Sequence, residues 1–222
     1  MTARNATMVA IVAVCGALLL AAGLGHVLPS PRQPANVPQA VDEAPSSRRL
    51  TEGDIDLLLQ RVARRLDPEL RARLAEAVSS ESERAGYDPL FVLALVSVES
   101  NFRPHVSSER GAYGLMQLKP STFAWIAGRE PDIGDGAAVS EDPVVDVRLA
   151  VRYFRWLENR FHRREEALMA YNAGPARMRH YIRAGIPSSL REYPRRVLRE
   201  YQRLARLAGS PDPRAVVLAR AN

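Results

Sequence analysis

Along most of this chain, apolar residues recur with the three-to-four-residue spacing of helices and seldom with the alternation of strands. From Thr51 onward, glycine and proline interrupt the pattern at helix-length intervals. The pattern therefore predicts an all-α domain. We expect its helices at 52–66, 68–85, 89–100, 120–127, 143–161, 165–173, 176–184 and 190–208.

Three of these helices begin with aspartate followed by proline, at 67–68, 88–89 and 142–143. Aspartate is a good N-cap, and proline suits the first helical position. Periodicity alone leaves the segment LFVLALVSV at 90–98 open between a buried strand and a helix, and the preceding cap favours a helix. Because it is apolar on all sides, this helix should cross the middle of the domain and end at Glu99 and Ser100, before Arg103-Pro104.

Residues 8–25 form an uncharged apolar run that follows Arg4. The run is short for a bilayer span and long for a signal peptide, so residues 1–28 are predicted to be either a cleaved signal peptide or a retained membrane anchor. Arg4 before the run favours an N-terminus inside and the rest of the chain outside the membrane. We expect a periplasmic or other extracytoplasmic protein, secreted or membrane-anchored.

Three further regions follow the apolar run. Residues 29–50 are rich in proline and polar residues and read as a flexible linker. Residues 51–209 form the predicted domain, which is large enough to fold without disulfides or a structural metal. Residues 210–222 read as a tail. The only cysteine is Cys15, inside the apolar run, which excludes a disulfide, a thiolate metal site and a cysteine nucleophile in the domain. Val14 before it argues against a lipoprotein signal.

The chain has a formal charge of +6. Arginine supplies nearly all of its positive side chains, because Lys119 is the only lysine. A basic chain suits an anionic partner, which could be nucleic acid, a membrane surface or a cell-wall polymer. A preference for arginine can also reflect the base composition of the genome. Charge alone does not choose between these interpretations.

Glu99 is the first candidate for chemistry, within the segment VESNF at 98–102. At the end of an apolar helix, desolvation and the negative pole of the helix dipole both favour the neutral acid. Such a group can protonate the leaving oxygen of a glycosidic bond. The plain alternative is a surface glutamate paired with Arg103 one turn later.

Two further segments carry residues that helix packing does not require, at 107–118 and 169–175. In GAYGLMQ, two glycines allow a tight turn, while Met116 and Gln117 offer an apolar contact and an amide to a sugar. The alternative is a glycine turn with Met116 in the core. In AYNAGP, Tyr171 and Asn172 converge at a chain break, which could equally be ordinary helix capping.

Together these segments resemble the family-1 lytic transglycosylases, over about residues 70–205. The family pattern is E-S, then S-x-x-G-A-x-G-L-M-Q, then A-Y-N-A-G. The matching residues are Glu99-Ser100, then Ser108 and Gly111 to Gln117, then Ala170 to Gly174. The resemblance implies a lysozyme-like domain that cleaves the β-1,4 bond between N-acetylmuramic acid and N-acetylglucosamine in peptidoglycan strands, and leaves 1,6-anhydromuramic ends.

The resemblance also assigns roles to residues. Glu99 would be the general acid and then the base, and Tyr171 would orient it or hydrogen-bond to it. The saccharide would be contacted by Ser108, Met116, Gln117, Tyr171 and Asn172, with Ser108 facing the muramic unit. The family often carries E-T-x-x-Y-V near its end, where this chain keeps Tyr193 but has Ser189, Leu190 and Pro194. Tyr193 reads equally well as an aromatic anchor for the last helix.

No second catalytic carboxylate stands out, although a hydrolytic glycosidase normally needs two. In the family, the muramic C6 hydroxyl attacks C1, so one glutamate suffices. The rivals are a goose-type lysozyme hydrolase and a non-catalytic peptidoglycan-binding envelope protein. Whether cleavage is endolytic or exolytic, and which envelope or secretion machinery is served, stays open.

No cofactor, metal or nucleic-acid partner is expected. The four histidines share no metal-ligand spacing, at 26, 105, 162 and 180. The acidic segment 132–142 has a faint likeness to a calcium loop but lacks the ligand order, so it reads as a solvated loop.

Overall fold

The computed structural model describes residues 50–133 and 141–209. The predicted N-terminal segment, nearly all of the linker and the tail lie outside the described residues. Within the described ranges, the chain folds into eight α-helices and one 3₁₀ turn. The helices are α1 Glu52–Val62, α2 Pro68–Ala85, α3 Pro89–Ser100, α4 Pro120–Ala127, α5 Pro143–Phe161, α6 Arg164–Ala173, α7 Pro175–Ala184 and α8 Glu192–Leu207, with the 3₁₀ turn at Ser188–Arg191.

The predicted aspartate caps start three helices. The carboxylates of Asp67, Asp88 and Asp142 each accept a backbone N–H from the first turn of α2, α3 and α5, at 2.9 Å. Each cap satisfies one of the amide donors that a helix leaves unpaired at its start. The predicted starts of α2, α3 and α5 are confirmed.

Helix α3 is the central element of the core. Seven consecutive residues, 90–96, are buried, which matches its apolar sequence on all sides. It packs against α2 and, more extensively, against α8, while α5 packs against α2, α4 and α6. The helix ends where Asn101 adopts a left-handed conformation with φ of 50°. The last turn of this buried helix therefore places Glu99 next to the core.

Several predicted helix boundaries are wrong by one to four residues. Helix α1 stops at Val62, not at residue 66, because Ala63 leaves helical geometry and Leu66 closes a separate turn on its carbonyl. The predicted helix 190–208 divides into the 3₁₀ turn and α8, because the amide of Leu190 bonds to the carbonyl of Pro187 three residues back. Helices α6 and α7 each begin one residue earlier than predicted.

The fold class is confirmed as all-α. The described residues contain no strand, and their β-type pairing is limited to isolated bridges from Tyr113 to Ser107 and to Leu118. These bridges tie the loop between α3 and α4 into a compact turn. From Leu50 to Gly209, leaving out 134–140, no helix is long and apolar enough to cross a bilayer.

Candidate active site

A cleft of about 570 Å³ opens between the α3–α4 loop and the junction of α6 and α7. The three segments singled out from the sequence meet in it. The predicted site residues that line it are Glu99, Ser108, Gln117, Tyr171 and Asn172. Within the described part of the chain, Glu99 is the only carboxylate among the lining residues.

The environment of Glu99 favours its neutral form. Burial raises the pKa of Glu99 from 4.5 to about 7, although a hydrogen bond from Tyr193 and the charge of Arg196 each act to lower it. A carboxyl with a pKa of about 7 is divided between its acid and its base at neutral pH. Such a carboxyl can therefore donate a proton in one step and accept one in the next at the same near-neutral pH.

Tyr193, at the start of α8, holds the Glu99 side chain. Its ring is buried, and its hydroxyl donates a hydrogen bond to Oε1 of Glu99. Burial raises the pKa of Tyr193 well above 10, so the hydroxyl keeps its proton and remains a donor. The expectation that Tyr171 hydrogen-bonds to Glu99 is wrong. The Tyr171 hydroxyl donates instead to the carbonyl oxygen of Met116, at 2.8 Å.

A buried carboxylate, Asp146 of α5, anchors the turn at 111–117 to the core. Asp146 accepts the backbone N–H groups of Met116, at 2.8 Å, and of Leu115. Burial raises the pKa of Asp146 to about 7, those two N–H groups lower it, and the nearby charge of Glu99 raises it. Asp146 thus fixes the turn from within the core, close enough to Glu99 for their charges to interact.

Gly114 is the position where this turn meets Asp146. Its φ is +84°, and a Cβ atom there would lie 2.6 Å from Oδ2 of Asp146. A side chain at residue 114 would therefore push apart the turn and the carboxylate that holds it. The turn is thus held between Asp146 of α5 on one side and Tyr171 of α6, which bonds to the Met116 carbonyl, on the other.

Comparison with known proteins now identifies the family. The family model described as the transglycosylase SLT domain matches residues 76–186, half of the chain, including every residue of the cleft named so far. The chain belongs to the transglycosylase SLT domain family. The predicted resemblance is confirmed at the level of the family.

Two curated relatives and one solved structure place this SLT domain among known proteins. The endo-type membrane-bound lytic murein transglycosylase A of Klebsiella pneumoniae is 35% identical over 99 residues, 42% of this chain and 49% of that protein. The membrane-bound lytic murein transglycosylase C of Edwardsiella ictaluri is 29% identical over 130 residues, 52% of this chain and 35% of that protein. The chain thus spans half or less of the length of these relatives.

The structural comparison supports the same fold. An inactive mutant of the lytic transglycosylase Slt from Pseudomonas aeruginosa aligns with a TM-score of 0.55 and 23% identity, over 72% of this chain and 30% of that one. At this identity the likeness concerns the fold alone. The all-α, lysozyme-like prediction for the SLT domain agrees with it.

Gln117 and Met116 contribute to the SLT site in different ways. Nε2 of Gln117 donates to the carbonyl oxygens of Val106 and Gly114, both at 2.9 Å, so its amide oxygen is the group left to meet a ligand. The Met116 side chain, in contrast, is completely buried in the core. The expected contact of the Met116 thioether with sugar is therefore wrong. Leu115 and Met116 both lie in the core, and the chain turns away only after them, at Gln117, whose φ is 50°.

Ser108 and Asn172 lie on opposite walls of the cleft. The Ser108 hydroxyl oxygen accepts the backbone N–H of Ala112, at 3.0 Å, which leaves its own proton to donate. The exposed Asn172 stands at the end of α6. Three exposed cations also line the cleft, Arg110, Lys119 and Arg177. The cleft therefore presents hydroxyl and amide groups beside positive charge.

Sequence reasoning set aside Tyr193 and missed Asp146. A signal for Asp146 existed, since it precedes Leu149, Ala150 and Tyr153 at helical spacing, and all three are buried. An aspartate on the core-facing side of an amphipathic helix needs internal hydrogen-bond donors. For Tyr193, the signal was its place in the segment that partly matches E-T-x-x-Y-V.

Removing the Tyr193 hydroxyl should shift the pH profile of activity. In Tyr193→Phe, Glu99 loses a hydrogen bond that lowers its pKa, so that pKa rises and the alkaline limb of the profile moves to higher pH. We expect a fall in rate of about tenfold or less below pH 7, as one orienting hydrogen bond is lost. Initial rates at which soluble fragments are released from murein sacculi between pH 4 and 9 measure both effects.

The matched control is Tyr171→Phe, which removes a hydroxyl that binds the Met116 carbonyl and not Glu99. Its alkaline limb should stay where it is in the parent. A shift in Tyr171→Phe with none in Tyr193→Phe would reverse our assignment of the tyrosine that contacts Glu99.

The Asp146 contact predicts that residue 114 tolerates no side chain. Gly114→Ala adds a clash to a left-handed backbone, and we expect it to lower the free energy of unfolding by about 2–4 kcal/mol. Gly111→Ala is the control, because φ there is +72° with no atom within 4 Å of the added Cβ, so only the backbone cost of about 1–2 kcal/mol applies. Urea denaturation compares the two, and equal losses would contradict the predicted clash.

Proposed function

We propose that this protein is a peptidoglycan lytic transglycosylase. It would cleave the β-1,4 bond between N-acetylmuramic acid and N-acetylglucosamine and leave 1,6-anhydromuramic ends. The observation that carries the proposal is that Glu99 is the only carboxylate lining the described cleft and has a pKa of about 7, whereas Asp146 is buried behind the turn. A single carboxyl of this kind suits a reaction whose nucleophile belongs to the substrate.

In the first step Glu99 acts as the acid. Its carboxyl proton passes to the glycosidic oxygen as the bond from that oxygen to C1 of the muramic residue breaks. The departing N-acetylglucosamine takes the electron pair and the proton, and C1 develops oxocarbenium character. Burial of Glu99 aids this step because it keeps a large share of the carboxyl protonated at neutral pH.

In the second step the Glu99 carboxylate acts as the base. It takes the proton of the muramic C6 hydroxyl while that oxygen forms a bond to C1, which closes the anhydro ring and restores the acid. An attacking group on the same sugar needs no separate recruitment, which removes much of the entropic cost of a bimolecular step. The Tyr193 hydrogen bond stabilises the carboxylate between the two steps.

Four side chains of the cleft would hold the glycan. Ser108 can donate its hydroxyl proton, Gln117 can accept through its amide oxygen, and Asn172 can do both. Tyr171 supplies an aromatic wall for a sugar ring. The positive charges of the cleft suit the free carboxylates of the peptides that peptidoglycan carries.

The products of digestion distinguish this reaction from its nearest rival. Purified sacculi are incubated with the full chain, and the soluble fragments are analysed by mass spectrometry. A transglycosylase releases anhydro fragments, whereas a goose-type hydrolase with the same acid releases reducing fragments heavier by one water. Predominantly reducing ends would overturn the proposal in favour of hydrolysis. Release of no fragments, with the glycan still bound, would favour the non-catalytic binding protein.

We further propose an extracytoplasmic location, with residues 1–28 as a signal or anchor, 29–50 as a linker, 51–209 as the catalytic domain and 210–222 as a tail. The apolar run at 8–25 supports this assignment. Two relatives carry the words membrane-bound in their names. Fractionation of cells that express the full chain, followed by N-terminal sequencing, would separate an anchor from a cleaved signal.

A further inference from the structure

An arginine-lined groove crosses the face formed by α1, α8 and the end of α3. Three adjoining depressions make it up, and they share lining residues from one to the next. The end of α1 contributes Arg61, Arg64 and Arg65, and Arg103 follows α3. Helix α8 contributes Arg196, Arg199, Arg203 and Arg206. We call these eight residues the arginine groove.

The charge of the arginine groove is mostly uncompensated. All eight side chains are exposed. Arg199 pairs with Glu192 and Arg203 with Glu200, and Glu200 is the only acidic residue that lines the groove in the described structure. Arg196 makes no ion pair in the described structure, but its charge lowers the pKa of Glu99 and of Glu192. The other five arginines form no ion pair with any described carboxylate. Such a concentration of guanidinium groups attracts phosphate or carboxylate groups from a partner.

Exposed apolar side chains accompany the charge. Leu57 of α1 is 61% exposed and lies one helical turn before Arg61. Leu207, 39% exposed, lines the groove one turn after Arg203. A bond of 3.1 Å from Arg61 to the Leu207 carbonyl joins the ends of the two helices. Arginine beside exposed leucine is the combination found on surfaces that rest at a lipid–water interface.

The arginine groove and the catalytic cleft use different sides of α3. Ser97 and Asn101, four residues apart on one face, line the groove, whereas Glu99 between them lines the cleft. No residue that lines the groove also lines the cleft. A surface that covers the arginine groove therefore leaves the cleft open to a separate polymer.

We propose that the arginine groove docks the domain onto a membrane surface of anionic phospholipid. The apolar run ends at residue 25 and α1 begins at Glu52, so 26 residues, with a maximum extended length of about 90 Å, separate a membrane segment there from the domain. That length keeps the domain within reach of the membrane in which the segment would lie. The docking proposal goes beyond the proposed cleavage reaction and does not depend on it.

The test uses the full chain in lipid vesicles and reports contact at the groove. Cys15→Ser with Leu207→Cys allows one environment-sensitive fluorophore to be attached beside the arginines. We expect its emission to increase and shift to the blue in vesicles containing 30% phosphatidylglycerol but not in pure phosphatidylcholine, and to return to the aqueous value in 0.5 M salt. Sacculus digestion by the same labelled chain reports catalysis separately.

A charge-reversed variant and a matched control identify the surface. Arg64→Glu/Arg65→Glu/Arg206→Glu should weaken docking at least about tenfold, because each basic residue near an anionic surface contributes to binding. Arg160→Glu/Arg163→Glu/Arg183→Glu makes the same change of charge at exposed positions outside the groove and should dock as the parent does. Sacculus digestion should be unchanged in both.

Three results would overturn the docking proposal. They are an equal fluorophore response in the two lipid mixtures, an equal loss of docking in the two triple variants, and loss of sacculus binding in the groove variant with vesicle docking intact. The last would assign the groove to the wall polymer. Failure to cleave sacculi with docking intact would instead count against the proposed function alone.

Discussion

Replacing Glu99 by glutamine should reduce the release of murein fragments by a factor of about 10³ or more, because general acid and base catalysis each contribute roughly 10²–10⁴ and both depend on this carboxyl. Glutamine keeps the size of the side chain and can still accept the hydrogen bond from Tyr193. Binding of the glycan should therefore persist while cleavage stops. Turbidity clearance of sacculi measures cleavage, and pull-down on sacculi measures binding.

Stability separates a chemical effect from a structural one. Burial raises the pKa of Glu99 to about 7 in the folded protein, so its ionisation destabilises the fold as pH rises from about 4.5 through 7. Glu99→Gln removes that cost, and its melting temperature at pH 8 should equal or exceed that of the parent. Glu69→Gln, at an exposed site on α2, is the control and should keep full activity. Undiminished clearance by Glu99→Gln would refute the catalytic assignment.

The largest expected effect on stability comes from Asp146→Ala. This change leaves the buried N–H groups of Leu115 and Met116 without an acceptor, at a cost of roughly 1–3 kcal/mol each, so we expect a loss of about 2–6 kcal/mol. The turn that carries Gln117 would loosen as well. Urea denaturation at pH 6 gives the free energy, and activity at a temperature where the variant stays folded gives the effect on the site.

The pH dependence of stability tests the same residue more specifically. Asp146 has a pKa of about 7 when folded, against 3.8 as an ordinary aspartate, so the folded protein binds more protons than the unfolded chain between those values. Its contribution to stability is largest below about pH 4 and declines as pH rises toward 7. Asp146→Asn removes this contribution, and its stability should fall less than that of the parent over the same range. Parallel curves would contradict the assigned burial.

The sequence was most informative where structure depends on neighbouring residues. The aspartate–proline pairs at 67, 88 and 142 predicted helix starts correctly, since a cap needs only the amides of its own first turn. The uniformly apolar stretch 90–98 predicted the central helix and, with it, the place of Glu99. The family motif brought the cleft residues together because they lie on segments of recognisable pattern.

Partners that are distant along the chain could not be predicted. Tyr171 and Tyr193 are both aromatic residues near helix ends, and only the packing of α8 on α3 decides which hydroxyl reaches Glu99. The sequence left two interpretations of Met116, a contact with sugar and a place in the core. Its side chain is buried in the core, and this depends on the direction of the turn, which the sequence does not show. Asp146 meets its amide donors thirty residues away, which no local pattern encodes.

The burial of α3 has a further consequence for how such an enzyme can be restrained. Segments with the most buried apolar contacts open only when the whole domain unfolds, and their amide hydrogens exchange last. Glu99 is attached to such a segment. Under the proposed function, melting the helix that holds Glu99 is therefore not a route to silencing the enzyme, and control of glycan cleavage would act on access to the glycan or on delivery of the domain.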